Sequence, residues 1–171
     1  MDSDGTDFIK SVALFSELSD DQVKKVAKIC STRMVRQGEV IMTEGEVGET
    51  LYLLREGEVE IVKALTLKRR AGGFEEGEKA IVKLRSDDVN FFGEMTLLSR
   101  APRSATVRSV TDSVLYEIRT DAIDRLCSED ADLGYKIMRA LGARLTNVVE
   151  KNNKDILKLT TALSLSLNNK K

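Results

Sequence analysis

The chain has no histidine among its 171 residues. That removes both the commonest general base and the commonest metal ligand, and argues against a metal-dependent barrel enzyme. Cysteine is scarce too. Cys30 and Cys127 are the only two; both sit in helical apolar patterns and read as reduced packing residues rather than a disulfide. With no cysteine cluster and no DxDxDG loop, no metal site is expected. The sequence lacks a signal peptide and any apolar run of 18 residues, which points to a soluble cytoplasmic protein without a membrane partner. Nor is there an excess of charge. The 27 basic and 28 acidic residues leave a net charge of −1, so no field gathers nucleic acid. Proline occurs once, at Pro102.

Apolar residues make up 42% and charged residues 32%, the balance of a globular chain long enough for one domain with an appended helix. Residues 1–5 are polar and expected to be loose. From Asp7 onward Phe8, Ile9, Val12, Leu14 and Phe15 fall on a rough helical face. Ser19 and Gln22 form a capping box that starts a helix ending near Ser31. After Thr32 the hydrophobic period changes to two. Short β-branched runs alternate with Gly38, Gly45, Gly48 and Gly57, the pattern of an all-β roll or barrel. Residues 63–83 predict a long hairpin, Ala64–Arg70 against Glu75–Leu84 around Gly72-Gly73, with Lys68, Arg69 and Arg70 facing Glu75, Glu76 and Glu78. Strands follow at Ser104–Arg108 and Val114–Ile118. Thr120 is expected to cap a short helix through Cys127, and Ser128 a long one from near Glu129.

The stretch from Phe91 to Val107, FFGEMTLLSRAPRSATV, concentrates the chemistry. Gly93 lets backbone amides approach a ligand closely. Glu94–Leu98 reads as one helical turn, whose amide end favours an anion. Pro102 fixes its own φ and holds Ala101 extended, aiming Arg103, whose planar fork of donors matches a phosphate. Ser104, Ala105 and Thr106 are small enough for their amides to reach the same ligand. Glu94 repels phosphate but accepts from a sugar hydroxyl, so the pair implies a ligand that carries both groups.

Gly93-Glu94-Met95-Thr96-Leu97-Leu98 and Pro102-Arg103-Ser104-Ala105-Thr106-Val107 together closely resemble the phosphate-binding cassette of cyclic nucleotide-binding domains. The resemblance implies a mainly β fold with flanking helices: an eight-stranded jelly-roll with N-terminal helices, a short cassette helix and a long C-terminal helix. It covers residues 8–150 as the domain, leaving 151–171 as a helical extension. It implies a regulatory sensor that binds cyclic AMP, or second to it cyclic GMP, as ligand, with no catalysis and no cofactor. Serine at 104 suits either base, since relatives selective for cyclic GMP often carry threonine there and others alanine. The implied ligand-binding residues are Phe92, Gly93, Glu94, Met95, Thr96, Arg103, Ser104 and Ala105, with Ile61 and Ile81 as apolar walls and Val148 against the base. Residues 64–90 depart most from the family pattern, with Val89 where a turn glycine is common.

In the last helix Leu141, Leu145, Val148, Asn152, Ile156, Leu159 and Leu163 follow a spacing close to a coiled-coil seam. Up to residue 145 this stripe is expected to pack on its own domain. Beyond Lys151 it predicts a homodimer. After SLSLNNKK the chain stops at Lys171, which leaves no room for a helix-turn-helix, so DNA binding is not expected and the chain reads as a sensor module, alone or part of a larger protein. The alternative is a degenerate relative that uses the roll only for protein association.

Overall fold

Glycine-punctuated alternation in the first half and apolar periodicity at both ends build a roll of strands between helices. A computed structural model describes residues 3–68, 74–86, 90–99 and 101–168. The elements in order are α1 (Ser3–Ser11), α2 (Asp20–Lys28), β1 (Cys30–Val35), β2 (Val40–Met42), β3 (Thr50–Glu56), β4 (Glu58–Lys68), β5 (Phe74–Arg85) and β6 (Phe91–Phe92). A 3₁₀ turn (Glu94–Leu97), β7 (Thr106–Ser109), β8 (Ser113–Arg119), α3 (Thr120–Glu129) and α4 (Ala131–Asn168) complete the chain. The eight strands form two antiparallel sheets, ordered β1-β8-β3-β6 and β2-β7-β4-β5.

Consecutive residues of β3 show how the layers are made. Leu51, Tyr52, Leu53 and Leu54 are all buried. Because side chains alternate across a strand, Leu51 and Leu53 face the helices, joining Phe91, Tyr116 and Ile118 in one core. Tyr52 and Leu54 face the second sheet and meet Phe92, Leu115, Val59 and Val107 in another. The first sheet is therefore covered on both faces, and β6 takes part in both cores. Leu133, Ile137 and Leu141 press α4 onto the helix-side core, each burial contributing about 1.5–3 kcal/mol.

Element boundaries differ from the sequence expectation in several places. The N-terminal helix runs from Ser3 and ends at Ser11. Val12–Leu18 then follow as successive turns, with Val12, Phe15 and Leu18 donating to the carbonyls three residues back. The Ser19 capping box forms as expected, but α2 stops at Lys28 and Cys30 opens β1, pairing with Ile118. Burial pushes the Cys30 thiol up to about 12, which keeps it an inert packing group. At the other end Thr120 is inside α3 rather than its cap; its hydroxyl donates instead to Glu49 O at 3.1 Å. Asp130, not Ser128, caps α4, its Oδ1 accepting from Leu133 N at 3.1 Å.

The hairpin register also departs from expectation. Lys68 stands opposite Phe74, Leu67 opposite Glu75, Thr66 opposite Glu76 and Ala64 opposite Glu78. That offset puts Lys68 opposite Phe74 rather than a glutamate. Arg69, Arg70, the Gly72-Gly73 turn and Val89 lie outside the described residues. Among those described, no helix is long and apolar enough to cross a membrane.

Candidate ligand-binding site

β6 anchors the site. Phe92 pairs with Tyr52 and Phe91 with Leu53, and the Phe92 and Tyr52 rings stack with centroids 5.2 Å apart. The chain then turns sharply at Gly93, whose φ of 78° lies in the left-handed region that favours glycine. A 3₁₀ turn follows, tied down by Thr96 Oγ1 donating to Gly93 O at 2.9 Å. Arg103 is fixed by its own backbone. Its N–H donates to Glu46 O at 2.8 Å, and its carbonyl accepts from Gly45 N at 2.9 Å. The residues around Gly45 thus hold the stretch before β7 in place.

From that anchor the Arg103 side chain folds inward until the residue is only 7% exposed. Nη2 donates to Thr50 O at 2.8 Å and Nη1 to Gly93 O at 3.4 Å. The guanidinium carbon lies 5.7 Å from the Tyr52 ring centroid. Space for it exists because of two glycines. A Cβ at Gly48 would stand 2.0 Å from Nε, and one at Gly93 2.8 Å from Nη1. Burial pulls the guanidinium below its ordinary pKa, and the nearby Tyr52 offsets only part of that. Among the described residues no carboxylate pairs with it. It remains protonated, a buried cation held by two carbonyls and a ring face, and such a charge is costly without an anion.

Glu94 opens the 3₁₀ turn after Gly93. Its carboxylate accepts from Arg144 Nε of α4 at 3.3 Å, with the two side chains 14% and 27% exposed. The Arg144 guanidinium also sits over the Phe91 ring, 4.3 Å from the centroid. Arg144 was not expected from the sequence, but a signal was there. Arg144 stands three residues after the core-facing Leu141 and just before Leu145, which packs against the same core, so helical spacing puts a cation at the edge of the buried face.

A hollow of about 130 Å³ lies between these groups. Its wall takes in Phe92, Gly93, Glu94, Met95, Thr96, Arg103, Ser104, Ala105 and Ile61, all expected, together with Met42 and Arg144. Val148 is not brought there. One helical turn beyond Arg144, it lines a neighbouring hollow of about 440 Å³ with Phe91 and Lys151. The Ile81 side chain lies outside the described residues.

Comparison with known proteins gives the family and the fold. Residues 32–130 match the family described as the cyclic nucleotide-binding domain, a span that includes Glu94 and Arg103. The chain is 30% identical over 127 residues to a cAMP-dependent protein kinase regulatory subunit of Debaryomyces hansenii, covering 74% of this chain and 25% of that protein. It is 34% identical over 119 residues to the corresponding subunit of Pyricularia oryzae, covering 70% and 27%. The chain thus spans about a quarter of the length of these relatives. A solved cyclic nucleotide-binding domain from Methylobacillus flagellatus superposes with a TM-score of 0.71 at 23% identity, over 90% of this chain and 81% of that one. The regulatory domain of Toxoplasma gondii PKA, crystallised with cAMP, superposes with a TM-score of 0.60 at 23% identity, over 74% and 46%. Both share its fold.

Proposed function

The chain belongs to the cyclic nucleotide-binding domain family, and from that premise we propose that it is a regulatory sensor that binds cyclic AMP ahead of cyclic GMP without transforming either. The observation that carries this reading is Arg103, buried and charged with no carboxylate partner among the described residues. The cyclic phosphate supplies the missing negative charge. The amides of Gly93, Glu94, Ser104 and Ala105 complete its cradle, and Glu94 accepts from the ribose 2′-hydroxyl. Each charge-assisted hydrogen bond contributes about 1.5–3 kcal/mol, so a few of them with partial base burial give roughly micromolar affinity.

Occupancy is transmitted through the ion pair between Glu94 of the cassette turn and Arg144 of α4. A sugar hydroxyl arriving at Glu94 alters the pull on Arg144 and shifts the population of α4 positions. The rest of α4 is suited to pass this on. Ile156, Leu159 and Leu163 are 60%, 70% and 59% exposed, an apolar stripe that residues 151–171 offer to a second copy of the chain as a homodimer seam. The domain proper is residues 8–150, and the cytoplasm is where it meets its ligand. Titration calorimetry with cyclic AMP and cyclic GMP tests the reading. Saturable binding with cyclic AMP tighter is expected, and no binding of either nucleotide overturns it.

A further inference from the structure

Arg144 lines two hollows. One is that of the cassette turn. The other, of about 440 Å³, lies between α4 and the turns that follow α1. Leu133, Ile137 and Leu141 seat the first half of α4 in the core. Where the helix meets those turns it carries Ala140 and Ala143 instead, opposite Ala13, and side chains that short leave the space open. Leu14 and Phe91, both buried, and the exposed Val148 add apolar lining. An apolar wall with a few polar groups, enclosing about 300–1,000 Å³, is the ordinary make-up of a small-molecule site.

The charges around this hollow are unequal. Among the described residues of its lining, Glu17 is the one carboxylate, and Arg139 Nη2 already donates to it at 2.6 Å. Arg144 uses only Nε on Glu94, at 3.3 Å, and neither of its Nη groups has a partner among the described residues. Lys151, two helical turns further on, has no ion pair among them either. The hollow thus offers the edge of a guanidinium and a free ammonium, groups that bond a carboxylate well. It offers an apolar surface to whatever that carboxylate is attached to.

We propose that this second hollow is a binding site for a small amphipathic organic anion, a carboxylate on an apolar body. Because Arg144 also holds Glu94, the bound carboxylate competes for that guanidinium and frees Glu94 to accept from a ribose hydroxyl. Occupancy of the second hollow then raises the affinity for cyclic nucleotide, and cyclic nucleotide raises the affinity for the anion by the same factor. This coupling rests on the sensor reading above; the anion site does not.

The test uses the full chain and two probes, decanoate with an aliphatic body and naphthoate with an aromatic one. Calorimetric titration of the nucleotide-free chain should show saturable one-to-one binding of at least one of these acids. The amide of the same body should bind about tenfold more weakly or less, having lost a charge-assisted hydrogen bond. Ala143→Trp fills the hollow from an exposed position and should abolish binding while the melting temperature holds. Lys151→Glu should weaken the acid and leave its amide unaltered. Cyclic AMP should bind more tightly with the acid at saturation than without it. Binding of neither acid overturns the proposal, as does an amide that binds as well as its acid, or binding that survives Ala143→Trp. A cyclic AMP affinity unmoved by the bound acid overturns the coupling through Arg144. If the acid binds and cyclic AMP does not bind at all, the sensor reading fails and the anion site stands.

Discussion

Two arginines of this protein are drawn in from solvent, and their surroundings are opposite. The Arg55 side chain is 25% exposed. It donates to the Asp4 carboxylate and to the Tyr116 hydroxyl, lies 3.6 Å from Glu56 Oε1, and stands over the Tyr116 ring at 5.5 Å. Burial alone would lower its pKa, but Tyr116, Asp4 and Glu56 more than offset that and hold it above its ordinary value. Arg103 is more deeply buried yet has only carbonyls and a ring around it, and its pKa moves the other way. The first arginine is electrostatically complete and joins α1 to β3 and β8. The second is incomplete, and an incomplete buried cation implies that part of its binding set arrives from outside. The sign of the imbalance names the ligand as an anion.

The largest effect expected from this contrast is at Arg103 itself. Arg103→Ala should weaken cyclic nucleotide binding at least tenfold, about 1.4 kcal/mol, while the ligand-free melting temperature stays level or rises because an uncompensated charge has left the interior. Calorimetry and thermal melting on the same sample read the two quantities separately. Unchanged affinity would end the assignment. Next comes Gly48→Ala. The new Cβ would stand 2.0 Å from Arg103 Nε, so the guanidinium must leave its seat, and affinity should fall nearly as far as in Arg103→Ala. Gly38 is the control. Its φ is +82° with nothing within 4 Å of an added Cβ, so Gly38→Ala should cost about 1 kcal/mol of stability through backbone strain and leave nucleotide affinity alone.

These glycines also show how much could be read from the sequence. The cassette was legible because its parts are local. Gly93 and Pro102 act through backbone restriction, and β6 leads directly into Gly93, while Arg103 is held from the distant Gly45 and Glu46. The capping box at Ser19 and Gln22 was legible for the same reason. Gly48 was read only as a corner of the roll, because its task is to leave room for a side chain 55 residues later. Arg144 was missed because its meaning depends on Glu94 in another element. The expected facing of Lys68 with Glu75 failed on register, which the composition of two strands does not fix when charges are plentiful on both. Val148 was placed by counting along a helix; the cation one turn earlier faces the hollow instead.

A smaller effect is expected on the complete side of the comparison. Arg55→Ala removes the Asp4 and Glu56 contacts, and Asp4 is 74% exposed, so the ion pairs contribute no more than about 1 kcal/mol. The melting temperature should drop by roughly 2–4 °C in a chain of this size, with nucleotide affinity unchanged. A loss of affinity comparable to that of Arg103→Ala would show that the two arginines are not independent, and the contrast between them would have to be abandoned.

The smallest expected effect lies where α2, α3 and α4 meet, and it is a response to acid. Hydrogen bonding from Lys25, and then from Leu133 N, holds the Asp130 carboxyl below its ordinary value. Lys136, and then Gln22, do the same for Asp132. Both carboxylates thus bind protons less readily folded than unfolded, so their contribution is fully present above the ordinary aspartate pKa of about 3.9 and is lost as pH falls through the lower folded values. Urea unfolding between pH 6 and pH 3 should show the wild-type midpoint falling below about pH 4, and Asp130→Asn/Asp132→Asn falling less steeply over the same window. Asparagine preserves the cap of α4, so a difference between the two curves reports the charges and not the loss of the helix start. Parallel curves would mean that Lys25 and Lys136 merely lie near these carboxylates, leaving Arg55 as the better example of a charge completed within the fold.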